Sequence, residues 1–162
     1  ALICKVTDAL SDAFCGVQRI YLLDDGSDRD KRCGKWRLGS RDPRRFFPVI
    51  KITPHDEVTD ILSLAEGPES ALAVRALEDV AVWSSIDANG MRNFPVLPNL
   101  NVLNLFADRD SAGQEAAKTC ERRYEQARRA CEVISYGGHA AATGYDACDE
   151  LLARHGQGTG HE

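Results

Sequence analysis

The 162-residue chain carries 20 Lys+Arg against 25 Asp+Glu, a formal net charge of −5, with a pI near 5.4. That length suits one domain with a buried core, and the acidic balance excludes a protein that binds nucleic acid over its whole surface. The six cysteines include no Cys-x-x-Cys pair, which excludes a zinc ribbon or disulfide scaffold, and no apolar run approaches the roughly 18 to 20 residues that cross a bilayer.

The first residues, 1–56, read as a small antiparallel β subdomain. Val17 to Leu23 alternates in the β manner, Asp24-Asp25-Gly26 is a turn, and Trp36-Arg37-Leu38 and Phe47 to Ile52 are further short strands. Between Arg29 and Lys51 the basic residues Lys35, Arg37, Arg41, Arg44 and Arg45 are interleaved with Trp36, Phe46 and Phe47. Such a segment can grip a phosphate backbone and stack a base. The alternative is a solvated hairpin face with its aromatic rings turned to the core.

From residue 57 to 155 strands and helices alternate. Ile61 to Ala65 is an apolar run of buried-strand length, and Gly67-Pro68 breaks it and opens a helix to about Leu77. Ala81 to Ser84 is a second strand, followed by a loop through Asn89-Gly90 to Pro98. Val102 to Ala107 is a third strand, and a long helix from Ser111 to Arg129 follows, capped by Asp110 or Ser111. Glu132 to Tyr136 is a fourth strand, and Asp146 to Arg154 a last helix before a frayed tail at 156–162. This alternation predicts an α/β fold: a four-stranded, mainly parallel, Rossmann-like sheet flanked by helices, with right-handed crossovers and strand order 2-1-3-4.

Two acidic signatures stand where strands give way to helices: Leu64-Ala65-Glu66-Gly67-Pro68-Glu69-Ser70 and Ala107-Asp108-Arg109-Asp110-Ser111-Ala112-Gly113. If the first and third parallel strands are neighbours, Glu66, Asp108 and Asp110 meet at the crevice beyond the strand ends. Asp108 and Asp110 would stand about 6 to 7 Å apart on one side of an extended chain. Converging oxygen ligands suit a hard divalent cation, and clustered carboxylates should have raised pKa values until one binds. The plainer reading makes all three cap or turn residues.

These two motifs, with Asn89-Gly90 between them, resemble a Toprim domain over about Asp60 to Leu152, most closely the primase-like ones of plasmids, phages and integrated elements. The resemblance implies acid/base chemistry at Glu66 and Mg²⁺, or Mn²⁺, held by Asp108 and Asp110 with Glu66. A later motif, Gly144-Tyr145-Asp146-Ala147-Cys148-Asp149-Glu150-Leu151, adds Asp149 and, less closely, Asp146; it departs from the family's Asp-Trp-Asn-Asp form. The implied activity is Mg²⁺-dependent nucleotidyl transfer by a primase or primase-helicase, joining nucleoside triphosphates into primers on a single-stranded DNA template. A Toprim nuclease and a non-catalytic nucleic-acid-binding or docking module are the alternatives. The chain opens on Ala and shows no signal-peptide pattern, so a cytoplasmic piece of a longer protein, with other domains such as a helicase, is expected.

Overall fold

Apolar runs bounded by Gly, Pro and Asp set the parallel part of the molecule. Ile61–Ala65 (β5), Val82–Ser84 (β6), Val102–Phe106 (β7) and Ala130–Ile134 (β8) pair in parallel in the order β6-β5-β7-β8, the order expected. The computed structural model describes residues 1–26, 29–39, 46–137 and 145–157. Before the parallel strands come Leu2–Asp8 (β1), Phe14–Ile20 (β2), Trp36–Gly39 (β3) and Pro48–Lys51 (β4), which are antiparallel. β4 pairs antiparallel with β6, so all eight strands form one sheet, β3-β2-β1-β4-β6-β5-β7-β8.

Alternate residues of the central strands face opposite layers, and both layers are covered, as parallel strands require. On one side Leu62, Leu64, Trp83, Leu103 and Leu105 meet Met91 of Ala88–Arg92 (α2) and Ala116, Ala117, Cys120 and Tyr124 of Ser111–Gln126 (α3). Those α3 residues recur at helical spacing and give the helix one apolar stripe. On the other side Ala65, Val82 and Phe106 meet Ala71, Ala73 and Val74 of Pro68–Glu78 (α1) and Ala147 of Ala147–Gln157 (α4). None of the helices among the described residues is long and apolar enough to cross a membrane.

Four local expectations change. β1 is a strand the sequence pattern did not show, and it pairs with β2 from Leu2↔Ile20 to Thr7↔Phe14. The expected loop at Asn89-Gly90 is inside α2, because the Asp87 Oδ1 accepts a hydrogen bond from the Gly90 N–H at 2.8 Å and caps a helix there. Gly90 is required: a Cβ on it would run into the Ser85 carbonyl oxygen. α3 ends at Gln126 rather than Arg129, with Arg128 at φ 59 turning the chain, so β8 begins at Ala130, two residues before the expected Glu132. α4 runs on to Gln157, past the expected Arg154, and residues 158–162 lie outside the described ones.

A carboxylate cleft beyond the parallel strands

Ala65 and Phe106 are paired neighbours at the last positions of β5 and β7, so the chain leaves the sheet at both points side by side. Glu66 follows the first and Asp108 lies two residues past the second. The first turn of α3 closes over them: a Cβ on Gly113 would stand 2.8 Å from the Glu66 Oε2, 2.9 Å from the Asp108 carbonyl oxygen and 3.3 Å from the Asp108 nitrogen. The Glu66 side chain, the Asp108 backbone and the start of α3 therefore converge, and only glycine leaves them room.

The electrostatics follow from that convergence. Burial pushes the Glu66 carboxyl up to about 7, and the nearby charges of Asp108, Asp110 and Asp87 push in the same direction. Burial likewise raises Asp108 to about 6, with Asp146 and Asp110 adding to it and Lys35 opposing it. The Glu66 Oε2 is buried without a hydrogen-bond partner.

Glu66 and Asp108 line a cleft of about 1100 Å³ with Asp146, Asp149, Lys35, Arg37 and the first turn of α1. Asp110 does not line it. Its Oδ1 accepts from the Gly113 N–H at 2.7 Å, making it the N-cap of α3, while its charge still acts on Glu66 and Asp108. Asp146 and Asp149 also serve a helix start: the Asp146 Oδ1 accepts from the Cys148 and Asp149 N–H groups at 2.7 and 3.0 Å, and the Asp149 Oδ2 accepts from the Asp146 N–H at 3.1 Å. Among the described residues, no three acidic, histidine or cysteine side chains stand together as a ready set of ligands.

A divalent cation nonetheless fits Glu66 and Asp108. A buried oxygen without a donor, beside a second carboxylate that it repels, is a charge arrangement a cation relieves, and Mg²⁺ commonly takes only one or two protein carboxylates with water and phosphate oxygens completing its shell.

The basic candidates divide. Lys35 reaches Glu69 of α1 at 2.9 Å, and Arg37 of β3 reaches Asp87 at 3.0 Å, so both tie the N-terminal strands to helix starts across the cleft. Half-exposed ion pairs of this kind contribute roughly 0 to 1 kcal/mol each, so they act more as positioning contacts than as stabilisers. Arg41, Arg44 and Arg45 lie outside the described residues. Of the aromatic side chains, Trp36 is 63% exposed, whereas Phe46 and Phe47 pack against the core. A second, more apolar cavity of about 560 Å³ lies beyond the Arg37–Asp87 pair, lined by Val6, Phe46, Phe47, Ile86 and Phe94. It lacks the paired carboxylates, so the candidate site is the larger cleft.

Asp87, Glu69 and Gln18 line the cleft and were not singled out in the sequence. Asp87 had a legible signal, an Asp three residues before Gly90 at a helix start. Glu69 had only its place three residues after Glu66. Gln18 had none, since its position depends on how the pairing of β2 with β1 and β3 extends the sheet beside the parallel strands.

The raised carboxyls make a stability prediction. Each native pKa lies above its unfolded value, 4.5 for Glu66 and 3.8 for Asp108, so the native state holds protons that the unfolded chain releases. Their contribution is fully present below about pH 4 and is lost as pH rises through about 6 and then 7. Denaturant titrations in EDTA should show a loss on the order of 2–4 kcal/mol from these two groups between about pH 4.5 and 7.5. Millimolar Mg²⁺ should flatten that slope; a slope indifferent to Mg²⁺ would separate the carboxyls from any cation.

The Toprim domain family model matches residues 61–157. Among solved structures, the fold is similar to primase domains in a bacteriophage T7 lagging-strand DNA polymerase complex, at 18% identity and a TM-score of 0.61, covering 96% of this chain and 72% of that one. The primase fragment of the bacteriophage T7 primase-helicase matches at 19% identity and TM-score 0.57, covering 88% of this chain and 59% of that one. The zinc-binding and RNA polymerase domains of the Aquifex aeolicus primase match at 15% identity and TM-score 0.57, covering 96% of this chain and 37% of that one. At these identities the likeness is one of fold, and the chain spans well under two thirds of the last two. No curated protein matches the sequence.

Proposed function

Because the chain belongs to the Toprim domain family, its residues 61–157 matching the family model, we propose that it is the catalytic part of a primase-type nucleotidyltransferase. In this reading it joins nucleoside triphosphates into a primer on single-stranded DNA in the cytoplasm, within a larger phage, plasmid or other mobile-element protein that carries a helicase or similar domains. Residues 1–56 form its β-rich wall and 57–155 the bulk of its catalytic part, whose last helix runs on to Gln157. The observation that carries the reading is the convergence of Glu66 and Asp108 at the ends of adjacent parallel strands, with the Glu66 Oε2 buried and unpartnered. The primase names of the similar solved structures support it.

Asp108 and Glu66 would hold Mg²⁺, or Mn²⁺, with Asp149 and Asp146 on the other lip of the cleft and Asp110 adding charge from the α3 cap. Such an ion neutralises phosphate charge and aligns the attacking and leaving oxygens. In the other role that the family resemblance implies, Glu66 would take the proton of the attacking hydroxyl while Asp108 holds the ion. Gly67, the N-cap of α1, lines the cleft with Glu69 and Ser70 and has no side chain to cap the helix, so a phosphate bound there would lie at that helix start. Lys35 and Arg37, with Arg41, Arg44 and Arg45, would guide the template backbone.

The test is product analysis on a labelled single-stranded DNA template with ribonucleoside triphosphates and Mg²⁺. New oligonucleotides longer than two residues are expected. Shortened template strands would assign the site to a Toprim nuclease instead, and template binding without either product would leave a docking module.

A further inference from the structure

β2 sets Gln18 on the wall of the carboxylate cleft, opposite Cys4 of β1 and Arg37 of β3. The residue is 2% exposed, yet its Oε1 has no hydrogen-bond partner. A buried amide oxygen without a donor is costly to fold, and few native proteins keep one without a reason. Leu2, Ile20, Leu22 and Ile86 give the cleft an apolar stretch beside it, with Arg37 across the strand. Hydrocarbon with an amide set beside it suits a planar ring: the ring's face lies on the hydrocarbon and its polar edge meets the amide. Lys35 lines the same cleft, as do Glu66 and Asp108, which would meet the phosphate end of such a ligand through the divalent cation they hold.

We propose that Gln18 reads the hydrogen-bonding edge of the base of a nucleoside triphosphate whose phosphates lie at Glu66 and Asp108. The inference rests on the nucleotidyl-transfer reading above. A carboxamide offers an acceptor oxygen beside two N–H donors, and every nucleobase carries at least one amino or imino donor that can satisfy the oxygen. Gln18 thus distinguishes a nucleotide from a bare polyphosphate.

The experiment is calorimetric titration with ATP and with inorganic tripolyphosphate, each in Mg²⁺, of the wild type and Gln18→Leu. The wild type should bind ATP more tightly than tripolyphosphate. Gln18→Leu should bind ATP about 10- to 100-fold more weakly, as expected for a lost buried hydrogen bond to substrate, with tripolyphosphate affinity unchanged. Its melting temperature should be unchanged or higher, because the variant removes an unsatisfied buried acceptor. Gln18→Met, closer in shape, repeats the comparison if the leucine does not fit. Unaltered ATP affinity, or equal loss of ATP and tripolyphosphate binding, would overturn the role of Gln18. A wild type that binds tripolyphosphate as tightly as ATP overturns it too, while sparing the nucleotidyl-transfer reading; a wild type that binds neither overturns both.

Discussion

Asp108→Ala is expected to lower Mg²⁺-dependent primer synthesis on the order of 10³-fold, the scale seen when a charge-stabilising group is removed from a reacting centre. The fold should survive, because Asp108 lies past the end of β7 rather than within the strand. The sign of the stability change is the more telling readout. Burial and the charges of Asp146 and Asp110 raise its carboxyl to about 6, so at pH 7.5 the ionised group opposes folding. Alanine removes that charge and also one of the repulsions on Glu66. In EDTA the variant should therefore melt higher than the wild type while being inactive in Mg²⁺. Activity near wild type would remove Asp108 from the chemistry; a lower melting point would make it a structural residue.

The second large effect should come from Gly113→Ala. On helix propensity alone the change would stabilise α3 by about 1 kcal/mol. The added methyl, however, would sit 2.8 Å from the Glu66 Oε2, 2.9 Å from the Asp108 carbonyl oxygen and 3.3 Å from the Asp108 nitrogen. The Glu66 side chain can swing away, but the Asp108 backbone is fixed by the end of β7, so the first turn of α3 must lift. Overpacking of this kind typically costs about 1–3 kcal/mol, which outweighs the propensity gain. The Asp110 cap on the Gly113 N–H would be disturbed at the same time. The expected result is a lower denaturation midpoint together with at least about a 10²-fold loss of activity from displaced carboxyls. A variant of unchanged or greater stability with full activity would show that α3 does not press on the site.

The parallel half of the fold was legible because its central strands β5, β6 and β7 are largely buried and so read as mainly apolar runs, with Gly67-Pro68 and Asp110 marking where helices begin. The expected order 2-1-3-4 matches β6-β5-β7-β8. β1 was hidden because its first residues, Leu2-Ile3-Cys4, show no alternation, and the strand is held by long-range pairing with β2 and β4. β8 was set two residues late because the chain turn at Arg128, with its left-handed backbone, has no glycine to announce it. At the site, Glu66 and Asp108 were marked by their strand-end positions. Asp110 could be read as ligand or cap, and its side chain is used as a cap. Asp87 carried the local signal of a helix cap, whereas Gln18 enters the cleft only through long-range strand pairing, which no local pattern records.

The account rests on Glu66 and Asp108 forming one cation site, and calorimetric titration of Mg²⁺ into the wild type and Asp108→Ala at pH 7.5 tests it most directly. Saturable binding by the wild type that weakens about 10- to 100-fold or more in the variant is predicted, as for loss of a direct ligand from a carboxylate site. Equal Mg²⁺ affinity in the two proteins, both folded by melting, would contradict it.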